Sequence, residues 1–141
     1  MKLTIPGIPT PKLRPRFTNA GGYPRAYEAP KTAIYENLVA LCYQEQGNGF
    51  KVSERCSVKM EFLFPLNKGD YNSKREPNKK GLSKLSGFYK PTKPDLDNLV
   101  KSVLDGLNKS GIWLDDACVC SIEARKGWSQ DSMAIIEIEE I

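Results

Sequence analysis

Prolines and glycines divide this chain before any periodicity is considered, because neither sits comfortably inside a helix or a central strand. Between residues 9 and 30 stand Pro9, Pro11, Pro15, Gly21, Gly22, Pro24 and Pro30. That stretch reads as an extended loop, and it carries Lys12, Arg14, Arg16 and Arg25. A second stretch, 68 to 94, mixes Pro, Gly, Asn and Ser with Lys68, Lys74, Arg75, Lys79, Lys80, Lys84, Lys90 and Lys93, and has few apolar residues to bury. It is expected to be a mobile basic loop. Regular structure is left to the intervals between these two stretches.

Those intervals carry clear periods. Leu3 and Ile5 alternate with polar neighbours up to Pro6-Gly7, a short first strand. Ile34, Leu38, Leu41 and Glu45 fall on one stripe of a helix from about Lys31 to Gln46, closed by Gly47 and Gly49. From Cys56 to Phe64 the period is two, with Val58, Met60, Phe62 and Phe64 on one face. Leu96, Val100, Val103, Leu104 and Leu107 describe a second helix from Asp95 to Lys109, stopped by Gly111. Val119 to Trp128 and Met133 to Ile141 are β-prone runs joined by Ser129-Gln130-Asp131, the pattern of an antiparallel hairpin. The order implies an α+β two-layer sandwich, with a small mixed or antiparallel four-stranded sheet and two helices on one face.

The 141 residues, 40% of them apolar, suit a single domain spanning 1–141. No apolar run approaches the ~18 residues that cross a bilayer, and the N-terminus lacks a signal-peptide pattern. A soluble cytoplasmic domain with no membrane partner is the expectation. Cys42, Cys56, Cys118 and Cys120 read as reduced thiols, because a core of this size needs no staples and a single C-x-C pair without histidine is not a zinc spacing. The absence of histidine also removes Ser-His-Asp and Cys-His nucleophiles. Hydrolytic chemistry in such a chain falls to carboxylates, lysine or a metal.

Charge is polarised along the sequence. Residues 1 to 94 hold 17 Lys/Arg against 7 Asp/Glu, a balance of +10, whereas residues 95 to 141 hold 4 against 10, a balance of −6. A basic front suits a polyanion, and an acidic back suits a cation.

The acidic back opens with Lys93-Pro94-Asp95-Leu96-Asp97-Asn98-Leu99-Val100-Lys101. Asp95 or Asp97 can cap the helix that begins here, and Lys101 can pair with Asp97 at i+4; both are ordinary structural roles. Spaced by one residue in extended backbone, however, Asp95 and Asp97 fall on the same side, close enough to share a hard cation. Asp115 and Asp116 follow the helix stop, where adjacent acids are commonly solvated turn residues. If the next strand returns Asp116 toward Asp95, the three acids supply oxygen ligands for Mg²⁺, and Lys101 offsets charge on a phosphodiester.

These residues resemble a known family. The stretch Lys93 to Lys101, continuing through Val103-Leu104-Asp105-Gly106-Leu107 to Gly111-Ile112-Trp113-Leu114-Asp115-Asp116-Ala117-Cys118-Val119, resembles the core signature of RusA-type Holliday junction resolvases. The front end, Pro9 to Phe17, is similar to the basic segment of the phage and Gram-positive branch. Cys118 stands where Gln is frequent in that family, and Gly106 where Ala is usual. The resemblance implies a Mg²⁺-dependent homodimer, with one or two ions per subunit, that binds branched DNA at a four-way junction and nicks two opposed strands. By position, Asp95 and Asp97 take the first two acidic ligands, Lys101 the essential lysine and Asp116 the third acid, with Asp115 beside it. Lys12, Arg14, Arg16, Lys79, Lys80 and Lys84 are assigned to phosphate contacts. Substrate symmetry also favours a dimer; large aromatics such as Trp113 and Trp128 are more often core than interface, yet a sheet covered on one face leaves the other for a partner to cover. The alternative is a nucleic-acid-binding module without catalysis, in which the acids are caps and turn residues.

Overall fold

The structure, a computed structural model, describes residues 1–27 and 29–141, with the Arg16 side chain outside the described set. In chain order its elements are β1 (Lys2–Pro6), β2 (Arg16–Thr18), β3 (Arg25–Tyr27), α1 (Pro30–Gln46), β4 (Cys56–Phe64), α2 (Lys79–Gly87), α3 (Leu96–Ser110), β5 (Val119–Trp128) and β6 (Met133–Glu140). A mixed four-stranded sheet runs β1-β6-β4-β5, and β2 with β3 forms a separate two-stranded pair. The architecture is α+β, with three helices where two were expected.

Strict alternation makes β4 a central strand. Val58, Met60, Phe62 and Phe64 are buried, and the strand pairs on both edges, parallel to β5 (Val58 opposite Ile122) and antiparallel to β6 (Val58 opposite Ile138). The two C-terminal strands therefore do not form the expected hairpin; β4 lies between them. The reach of the link explains why. Residues 129–132 extend to about 13 Å, enough to step across two strand spacings of about 4.8 Å. The link passes over the end of β4, where the Ser129 N–H donates to the Phe64 carbonyl at 2.8 Å.

Helices α1 and α3 pack against each other and against the buried face of the sheet. The buried side of α1 is Thr32, Tyr35, Glu36, Val39, Cys42 and Tyr43, whereas Ile34 and Leu41 are 68% and 54% exposed. The expected stripe is thus rotated toward solvent. Its true inner face carries polar residues that find partners: the Leu13 N–H donates to the Thr32 hydroxyl, and Lys12 and Lys109 meet Glu36 at 2.9 and 2.7 Å. On α3, Leu99, Val103 and Leu107 are fully buried, while Leu96, Val100 and Leu104 flank them, half-buried. A Cβ on Gly106 would stand 2.6 Å from the Val39 Cβ and 2.9 Å from the Glu36 carbonyl oxygen, so the helices cross where only glycine fits. Gly111 ends α3 at φ 78°, a left-handed cap that costs glycine nothing.

The segment expected as an irregular loop contains a 3-10 turn at Lys68–Asp70 and helix α2. Its organising residue is Asp70, a buried acid that accepts from Lys84 Nζ and from the Asn67 N–H, both at 2.8 Å. Asn78 caps α2 by accepting from the Gly81 N–H. Lys84 lies over the Trp128 ring at 4.5 Å, and the Trp128 N–H donates to the Phe88 carbonyl, which ties the segment to the end of β5.

The opposite face of the sheet carries ion pairs, Lys2 with Glu137, Lys59 with Glu123 and Arg125 with Glu61. A face so charged needs no apolar cover, so the expectation that a partner must cover it loses its basis. Trp113 and Trp128 are both buried within the chain. All four cysteines are free; burial and the neighbouring Cys118 thiol push Cys56 up to about 12, so it stays a neutral thiol. Among the described residues, no helix is long and apolar enough to cross a membrane.

Candidate active site

Asp95 occupies the N-cap of α3 and Asp97 the second helical position, so both acids stand at one helix end, where the dipole favours negative charge. Yet the Asp95 side chain makes no capping hydrogen bond. Among the described residues, Asp97 and Lys101 form no ion pair with each other or with another group. All three are exposed. The two ordinary roles for these residues, cap and i+4 pair, are therefore not taken up.

The turn before Asp95 is held from behind. Lys126 Nζ donates to the carbonyls of Thr92 and Pro94, each at 2.6 Å, and Lys90 Nζ reaches the Thr92 hydroxyl at 2.8 Å and the Lys93 carbonyl. Burial, with Lys126 and Lys84 nearby, lowers the Lys90 pKa below its ordinary value. Two ammonium groups thus fix the three carbonyls that lead into the acid pair. Neither lysine carries a local signal in the sequence: Lys90 is one of many cations in its stretch, and Lys126 sits inside a strand. Beside Asp95 opens a cleft of about 510 Å³, lined by Ile8, Pro11, Lys12, Phe64, Lys93 and Asn98 among others.

Asp116 lies elsewhere. Its carboxylate accepts from the Asn108 amide at 3.1 Å, and Asn108 in turn accepts from the Trp113 indole N–H at 2.6 Å. Asn108 is near the far end of α3, about 16 Å along the axis from Asp97. The strand after Asp116 gives the same answer: β5 begins at Val119, opposite Cys56, whereas Asp95 shares its cleft with Phe64 at the other end of β4. Because β5 runs parallel to β4, it carries Asp116 away from Asp95, and the return expected from sequence does not occur. Among the described residues, no group of three acids, cysteines or histidines is placed to hold a metal ion. By donor chemistry the exposed carboxylates of Asp95 and Asp97 suit a hard cation; the three-acid set is not assembled within one chain.

The basic residues divide as well. Lys12 pairs with buried Glu36 and with Asp105, both at 2.9 Å, and Lys84 pairs with Asp70. Arg14, Lys79 and Lys80 are exposed. The Arg16 side chain lies outside the described residues. The internal partners Glu36, Asp70 and Asn108 carry no local signal in the sequence; Asp70 shares its basic stretch with Glu76, and nothing in the spacing tells which of the two is buried.

A basic front and an unpaired acid pair at a helix start are the features that suit a polyanion and a hard cation in a chain without histidine. The comparison with known families is specific. The family model for endodeoxyribonuclease RusA matches residues 6–139, nearly the whole chain, and the protein belongs to that family of endonucleases, which resolve Holliday junctions in recombination. It is also similar to the uncharacterized protein YqaN of Bacillus subtilis (strain 168), 29% identical over 142 residues that cover 100% of this chain and 96% of the relative.

Proposed function

We propose that the chain is a Mg²⁺-dependent nuclease that acts as a homodimer on four-way DNA junctions and nicks two opposed strands symmetrically. The observation that carries this reading is the exposed, uncommitted trio of Asp95, Asp97 and Lys101 at the start of α3. Two neighbouring carboxylates without a partner favour a cation between them, and a site of acidic oxygens open to water suits Mg²⁺. Asp95 and Asp97 would hold the ion. Since α3 keeps Asp116 at its other end, the copy that supplies the third acid is a second protomer, which is a sounder reason for a dimer than cover for the sheet. Bound there, Mg²⁺ would supply Lewis-acid polarisation and a water of lowered pKa. The Lys101 ammonium, one turn along from Asp97, would offset charge growing on the phosphate oxygens. Exposed Arg14, Lys79 and Lys80 would contact phosphates, with Lys12 and Lys84 bracing the surface that presents them and Arg16 beside Arg14 in sequence.

Incubation of the purified protein with a synthetic four-way junction, in Mg²⁺ or in EDTA, tests the reading. Opposed nicks in Mg²⁺ alone are expected. Binding without nicks in either condition would leave a nucleic-acid-binding module in place of an enzyme.

A further inference from the structure

The β2–β3 hairpin has no place in the chemistry just described, and its composition is odd for a surface ribbon. Its strands pack chiefly on each other. Phe17 opposite Ala26 marks one face, and Thr18 opposite Arg25 the other. Phe17 is 75% exposed, Tyr23 in the connecting turn 71%, and Tyr27 is exposed as well. From residue 9 to residue 27 there is no acid, while Lys12, Arg14, Arg16 and Arg25 give the segment a charge of +4. A two-stranded ribbon with no core of its own is marginal in water, and three exposed aromatics among arginines are a surface left for a ligand.

The root of the ribbon lies beside the acid pair. The Lys12 N–H donates to the Asn98 carbonyl at 2.8 Å, and the Ser102 hydroxyl donates to the Thr10 carbonyl at 2.7 Å, so α3 itself anchors the strap from which the ribbon rises. Pro11, Lys12 and Leu13 line the cleft that Asp95 also lines.

We infer that this ribbon is an arm that engages DNA by stacking Phe17 and Tyr23 on unpaired or unstacked bases, with Arg14 and Arg25 on the adjoining phosphates. The inference rests on the nuclease reading above and adds to it the part of the substrate that is recognised: exposed bases at the branch, not duplex. Charge complementarity selects the partner, since an acid-free arm repels a second copy of itself and attracts a polyanion. Aromatic faces beside arginines are the chemistry that holds single-stranded bases without regard to sequence, and a continuous duplex hides those faces.

The test is binding in EDTA to a four-way junction and to a linear duplex of equal length, for wild type, Phe17→Ala/Tyr23→Ala and Phe17→Trp/Tyr23→Trp. Loss of each stack should weaken junction binding about tenfold. The alanine variant should keep duplex affinity within about twofold, and the tryptophan variant should recover junction binding. Equal loss on both DNAs, no loss on the junction, or failure of tryptophan to rescue would overturn the inference. So would a fall in mass by light scattering that accompanies the lost binding, because the arm would then be a contact between copies. A wild-type protein that binds neither DNA would overturn the nuclease reading and the arm together, an outcome distinct from all of these.

Discussion

The two ends of α3 carry charge of the sign the helix dipole prefers, acids at the start and Lys109 in the last turn, yet they treat that charge differently. At the C-terminal end the polar groups are committed. Lys109 meets Glu36 at 2.7 Å, and Asn108 joins Asp116 to Trp113. At the N-terminal end Asp95, Asp97 and Lys101 are exposed and take part in neither capping nor pairing. The dipole explains how this is tolerated: it favours each nearby carboxylate by about 0.3–1 kcal/mol without occupying its lone pairs. One end of the helix spends its charge on the fold, and the other leaves it for a ligand.

Substitutions at the two ends should therefore have opposite signatures. Asp97→Asn should lower junction cleavage by about three orders of magnitude or more, while binding holds or tightens and stability changes by no more than about 1 kcal/mol. A gel nicking assay beside a melting curve reads both, and near wild-type cutting would break the contrast. Glu36→Gln should do the reverse. Glu36 is 1% exposed and faces both Lys12 and Lys109, so its loss removes the buried carboxylate that the two cations share. Because both lysines keep some solvent contact, the cost is set at the low end for a broken buried pair, about 2–3 kcal/mol, or about 5–10 °C in Tm. Gly106→Ala comes next, at about 1–2 kcal/mol, since overpacking against Val39 outweighs the helix propensity gained. Urea denaturation would detect it, and a stabilised variant would show that α1 and α3 separate without cost.

The smallest effect is one of pH. Lys84, by its hydrogen bond, holds the Asp70 carboxyl below the usual aspartate value, with the Asn67 N–H helping and burial opposing. A lowered folded value means that the contribution is complete above the ordinary range near pH 4 and drains as pH falls through it toward the folded value. Urea midpoints of wild type and Asp70→Asn should therefore converge between about pH 5 and the most acidic conditions the fold survives. A gap that widens on acidification would reverse the assignment.

The strands and long helices were legible because their signals are local. Cys56–Phe64 alternates without a break, and Gly111 stops α3 where a left-handed residue is required. The face of α1 was misread because Thr32 and Glu36 are buried through partners at residues 13, 12 and 109, which no local window contains. Helix α2 was hidden in the same way, since its anchors Asp70 and Trp128 are far apart in sequence. In the candidate site, the acid pair and Lys101 were readable from spacing, as helix geometry fixes them. The position of Asp116 was not, because it depends on whether β5 runs parallel or antiparallel to β4, a choice made by the whole sheet.

Mixing two inactive variants tests the shared centre most directly. If the third acid comes from a second copy, a heterodimer of Asp97→Asn and Asp116→Asn contains one centre with both defects and one with none. Each variant alone should fail to nick a four-way junction in Mg²⁺, and the mixture, after subunit exchange, should recover single nicks. If each protomer builds its centre alone, every centre in the mixture is damaged, and a mixture as inactive as its components, with exchange verified by mass, would contradict the account.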